Sequence, residues 1–198
     1  MKKVCPLLVV AAFSLLLTSC FDTKNPLSDP QKSQSDDRLS GVWRFRGDSG
    51  EMNYYHIGHG GEKLPASVMQ VVNVQHMPDG KMHSGELLVF PTSLGDKTYL
   101  NVAEAKPSQF ALLEEKGWTN EAVNAYLILR YQITGDVLTV QWIDSDAKKR
   151  AIEAEKIKGT IEKDRAHFTD TTENLAKFVA EAGDDLFSKD ALRLERVK

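Results

Sequence analysis

The side chains best spaced for chemistry lie at His56-Ile57-Gly58-His59, followed by Gly60 and Gly61. Two imidazoles three residues apart beside a glycine pair are a candidate metal pair, for zinc above all. Glu51, Glu62, His76 or His83 would complete the ligand set. Against this, the segment reads as a strand, and residues three apart on a strand face opposite sides. No HExxH or paired-cysteine spacing supports a metal centre. Asp144 and Asp146, near Glu153 and Glu155, offer paired carboxylates of the kind that acid–base work requires. The same spacing suits a helix N-terminus followed by a solvated helical face. No serine sits in a GxSxG elbow, and His167 and Asp170 come without a nucleophile. The sequence therefore predicts no catalytic constellation and no cofactor. Trp43 and Trp142 fall in strand patterns, whereas Trp118 lies in an irregular stretch and is the candidate ligand-facing aromatic.

The elements that must position these residues are mostly strands. Structure is expected to begin at Leu39, and the alternation of Val42, Arg44 and Arg46 with Trp43 and Phe45 predicts a half-buried strand over 39–46. Further strands are expected over 51–57, 67–76, 85–90 (stopped by Pro91) and 97–104. Met77-Pro78-Asp79-Gly80-Lys81 has the chemistry of a turn. Residues 105–122 are less regular, with a short helix over 107–116. The clearest pattern is a hairpin over 126–143 that turns at Thr134-Gly135-Asp136. A helix is expected from Ser145 to about Lys156. A second begins at an Asp170 cap, with Glu173 as the partner in a capping box, and stops at Gly183. Short strands at 160–162 and 167–169 separate the two. The last strand, 192–197, puts Leu192 and Leu194 on one face and Arg193 and Glu195 on the other. About eight short strands joined by tight turns predict a mainly β fold. It is an antiparallel barrel or sandwich with two short helices in the C-terminal half.

Composition narrows the class. The 198 residues are 41% hydrophobic and 27% charged, with a formal net charge of −3. That is a globular balance in one domain of ordinary size. Basic residues are scattered, so nucleic acid is not an expected partner. The two cysteines are Cys5 and Cys20.

The N-terminus reads as an export signal over residues 1–19. Lys2 and Lys3 precede an apolar run from Val4 to Leu17. The run falls short of the roughly 20 residues that span a bilayer. It ends in Leu17-Thr18-Ser19-Cys20, which resembles the lipobox of bacterial lipoproteins. That resemblance implies a diacylglyceryl group on the Cys20 thiol, cleavage before Cys20 and acylation of the new amine, so that palmitate-type chains anchor the protein. Two or three chains hold durably where one does not. Phe21 rather than Asp follows Cys20, which by the same resemblance favours the outer membrane, periplasmic face, over inner-membrane retention. Loss of Lys2 and Lys3 moves the charge from −3 to about −5, and no thiol remains. Residues 20–38 carry the lipid and then read as a polar, Pro- and Ser-containing flexible linker, with a reach of about 20–25 Å. The folded domain is expected over 39–198.

Gly41-Val42-Trp43 on the first strand, with Arg193 or Arg196 on the last, resembles the lipocalin and fatty-acid-binding-protein (calycin) barrels. The resemblance implies an eight-stranded barrel closed at one end by Trp43, with a basic residue stacked across the indole as a plug. Two functions follow as expectations: a membrane-anchored, lipocalin-like module that binds a small apolar ligand in the cell envelope, or a non-enzymatic envelope protein with a filled β-core that contacts another protein.

Overall fold

Alternating apolar residues produce one sheet that closes on itself. The structure, a computed structural model, describes residues 23–104, 107–119, 122–163 and 165–198. Cys5, Cys20 and the predicted export signal lie outside them. Eight strands form the barrel: β1 (Gly41–Arg46), β2 (Met52–His59), β3 (Met69–His76), β4 (Met82–Leu94), β5 (Lys97–Glu104), β6 (Ala125–Thr134), β7 (Val137–Trp142) and β10 (Leu192–Arg196). Neighbours are antiparallel and mostly consecutive in the chain, and β10 pairs with β7 on one side and β1 on the other, completing the circle. The two-residue turn Gly135-Asp136, with Gly135 at φ 58°, joins β6 to β7 where the hairpin was predicted.

Among the described residues, three helices and a two-stranded ribbon lie outside the barrel. They are α1 (Pro107–Lys116), α2 (Ser145–Glu153), α3 (Thr172–Ala182), β8 (Gly159–Glu162) and β9 (Arg165–Phe168). Everything from α2 to α3 is a single excursion between β7 and β10. Its ends meet: Asp144 N–H donates to Leu186 C=O at 2.9 Å, and Ser188 N–H donates to Trp142 C=O at 2.9 Å.

The molecule has two apolar cores, one on each face of the same strands. The inner core fills the barrel with Leu39, Trp43, Tyr55, Met69, Val71, Leu100, Val102, Leu129, Val140 and Leu194, among others. The outer core uses the opposite face of β4, β5 and β6, where Leu88, Phe90, Tyr99, Ala103, Tyr126 and Ile128 pack against Leu113 of α1, Ala147 and Ala151 of α2, and Leu175 and Val179 of α3. Both faces being buried, β6 reads Tyr-Leu-Ile-Leu as a continuous apolar run over 126–129.

Three expectations need correction. First, residues 23–38 are not a free linker. Leu27 is 2% exposed within the outer core, and its N–H donates to Asn101 Oδ1 at 2.7 Å. Thr23 bridges to Tyr126 and Phe168, and Ser67 Oγ donates to Pro30 C=O at 2.5 Å. The composition is polar, but a few apolar side chains and a row of hydrogen bonds suffice to hold the segment on the barrel wall. Second, β4 runs through Pro91 to Leu94. Pairing with β3 ends at Val89, and a strand edge is where a residue without an N–H is tolerated. Third, the cap of α3 is Thr171, whose hydroxyl accepts from Asn174 N–H at 3.3 Å. Asp170 instead accepts from Lys158 N–H (3.1 Å), Thr171 N–H (2.9 Å) and Asn174 Nδ2 (2.8 Å), tying α3 to the ribbon.

Candidate functional site

One end of the barrel is closed by residues from both chain termini of the domain. A short 3-10 turn, Asp37–Leu39, leads into β1 and seats Leu39 inside the barrel with no exposure. Trp43, also fully buried, donates its indole N–H to Leu39 C=O at 2.7 Å. Arg196 comes from the opposite terminus and lies over the Trp43 ring, 4.1 Å from the guanidinium carbon to the ring centroid. Its guanidinium donates to Ser40 C=O at 2.6 Å and to Arg38 C=O. Of the two arginines considered for this place, Arg196 fills it. Arg193 pairs with Thr139 on the outward register of β10 and is exposed. Gly41 belongs to the same arrangement: its φ is +121°, and a Cβ there would stand 2.8 Å from Arg196 Nη1.

Asp36 completes the closed end. It accepts from Arg38 Nε at 2.8 Å and Nη2 at 2.7 Å, and from the Tyr131 hydroxyl at 2.8 Å. The hydrogen bond from Arg38 holds the Asp36 carboxyl below the usual carboxylate range, and its burial opposes this only in part. Burial, with the neighbouring Asp36 carboxylate, pushes the Tyr131 phenol up, so it stays a donor.

Above this plug lies an apolar cavity of about 80 Å³, lined by thirteen residues, among them Tyr55, Ile57, Leu87, Leu129, Val140 and Leu192. At the other end of the barrel the inward register of β2 and β3 turns polar: Asn53 pairs with Gln75, and Tyr55 with Asn73. Asn53 is 2% exposed, and its Nδ2 has no hydrogen-bond partner among the described residues. Glu51, beside the start of β2, is also buried, and its Oε2 has none. The sequence reading missed this polar rim. Its trace there was the parity of Glu51, Asn53 and Tyr55, which fall on the same alternation as Phe45.

The other candidates do not converge. His56 and His59 fall on opposite faces of β2 and are both exposed. Among the described residues no group of three or more His, Cys, Asp or Glu could hold a metal ion. Asp144 caps α2, accepting from Ala147 N–H at 2.8 Å. Trp118 stands outside the barrel, edge-on to Phe90 with ring centroids 5.6 Å apart. Trp142 ends β7 at the open rim, in register with Leu129, and is 37% exposed.

Fold and site thus define a closed, eight-stranded up-and-down barrel with one plugged end, an apolar cavity and a polar inward register at the other end. No family model matches the chain, and no curated protein or solved structure matches it either.

Proposed function

We propose that this is a lipid-anchored, non-enzymatic binding module of the bacterial cell envelope, whose lipocalin-like barrel takes a slender apolar ligand. The observation that carries the reading is the cavity above the Trp43–Arg196 plug, whose lining presents no polar surface. An apolar group entering it leaves water without stranding a polar partner, at roughly 25 cal/mol per Å² of surface buried. The plug makes the cavity blind at one end, so a ligand has a defined depth. The anchoring half of the reading rests on Leu17-Thr18-Ser19-Cys20, and such an anchor would hold the barrel close to a membrane surface.

The second reading, an interaction protein with a filled core, is favoured by one observation. A volume of about 80 Å³ is well below the roughly 300–1,000 Å³ of ordinary small-molecule sites. Native mass spectrometry of the protein purified from its host separates the two. A reproducible adduct with the mass of a single-chain lipid supports the binding module. Bare protein that co-purifies with an envelope protein supports the second reading and overturns the first. In the same spectra, an N-terminal mass without acyl chains at Cys20 would overturn the anchoring.

A further inference from the structure

The barrel has one weak seam, and its register explains why. The ladder between β1 and β10 has two registered pairs, Trp43 with Arg196 and Arg44 with Glu195, and on the plug side Val197 N–H donates to Val42 C=O at 2.8 Å. Both strands continue past them: β1 runs to Arg46 and β10 begins at Leu192. Continued pairing would set Phe45 against Leu194 and Arg46 against Arg193. Two like charges directly opposite on neighbouring strands are destabilising, and the strands part before that pair is reached. The parted strands flank a cleft of about 510 Å³, lined by Arg44, Phe45, Arg46, Met52, Leu192 and Arg193, together with Ala191 and Glu195. Leu192 also lines the cavity inside the barrel, so cleft and cavity share a wall.

The charges of this cleft are unbalanced. Its carboxylate, Glu195, is engaged by Arg44 at 3.4 Å. Arg46 donates from Nε to Met52 Sδ at 3.3 Å. Neither Arg46 nor Arg193 has a carboxylate partner among the described residues. Two guanidiniums therefore stand at the mouth of a cleft whose lining includes the apolar side chains of Phe45 and Leu192.

We propose that the β1–β10 seam receives the anionic head of a single-chain amphiphile, a carboxylate or phosphate monoester, between Arg46 and Arg193, while its tail enters the barrel past Leu192. An anion there turns a repulsive pair into a bridged one, which is the work the unclosed seam lacks. Guanidinium suits it because it is always charged and grips both oxyanion types with paired donors. The assignment rests on the reading that the barrel takes an apolar chain, and adds the chemistry of the head and the route in.

Calorimetric titration of the purified full chain with decanoate, decyl phosphate, decanol and inorganic phosphate tests it. Decanoate and decyl phosphate are expected to bind one per chain, with decanol about tenfold weaker or more, the worth of one or two charged hydrogen bonds. The double variant R46Q/R193Q is expected to bind decanoate no better than decanol. R193E, which sets a carboxylate opposite Arg46, is expected to lose decanoate binding while keeping the wild-type circular dichroism spectrum. Equal affinity for decanoate and decanol in the wild type would overturn the head-group assignment and leave the barrel reading standing. Inorganic phosphate binding as tightly as decyl phosphate would also overturn it, by showing a bare anion site. No binding of any decyl compound would overturn both.

Discussion

At the scale of single residues, the plug shows how one side chain can serve packing, electrostatics and backbone satisfaction together. Arg196 covers the Trp43 ring and donates to two carbonyls of the turn that closes the barrel. Arg193, three residues earlier, does none of this. Arg196→Gln is expected to destabilise the protein by about 2 kcal/mol, from the lost cation–π contact and charged hydrogen bonds. Arg193→Gln should change stability by less than about 0.5 kcal/mol. Urea midpoints of the two variants check the contrast. Asp36 adds a pH dependence of defined sign. Its carboxyl titrates below the usual value because Arg38 hydrogen-bonds to the charged form. Its contribution is therefore present in full above about pH 4 and is lost as pH falls through the lowered value. Asp36→Asn is expected to flatten the acid limb of the stability–pH curve, measured as the thermal midpoint from pH 6 down to pH 2.

At the scale of elements, the segment before β1 behaves as part of the domain. Leu27 sits in the outer core at 2% exposure. Asn101, fully buried on β5, accepts from Leu27 N–H and donates to Phe90 C=O at 3.1 Å and to Thr92 Oγ1 at 2.8 Å. Leu27→Ala should cost about 3 kcal/mol, as core truncations do, and a denaturant midpoint unchanged from wild type would return the segment to the status of a tether. Much of the fold was legible in the sequence where local chemistry decides it. The hairpin over 126–143 and the strand at 97–104 rest on alternation and turn residues, whereas the plug at Trp43 was expected only as what the resemblance of Gly41-Val42-Trp43 to calycin barrels implies. The segment 23–38 was not legible, because what holds it is a few contacts to strands far along the chain. Thr23 meets Tyr126 and Phe168, and Leu27 meets Asn101, and no composition window registers such pairs. The parting of β1 from β10 was hidden for the same reason. Arg46 and Arg193 are unremarkable until a register sets them opposite each other.

At the scale of the whole molecule, stability is distributed unevenly around the barrel. β4, β5 and β6 are packed on both faces, by the inner core and by the layer of helices and the N-terminal segment. Among the described residues β1 and β10 have no such outer cover: Arg44, Arg193 and Glu195 on their outward register are exposed. They also share the shortest ladder in the barrel, two registered pairs against seven between β5 and β6. Opening free energy scales with the buried contacts that must be broken, so amides of β5 and β6 should exchange only through near-global unfolding, and those facing the seam through local parting. Hydrogen-exchange mass spectrometry is therefore expected to find peptides from 97–104 and 125–134 slowest, and peptides covering 41–46 and 191–196 faster by orders of magnitude, with protection rising toward the plug at Trp43 and Arg196. Uniform protection around the barrel would contradict this ordering. On the ligand-binding reading, this seam of low local stability beside a rigid, doubly covered wall is the side through which a ligand would enter while the rest holds its shape. Saturating decanoate should then slow exchange at 41–46 and 191–196 and leave 97–104 and 125–134 nearly unchanged.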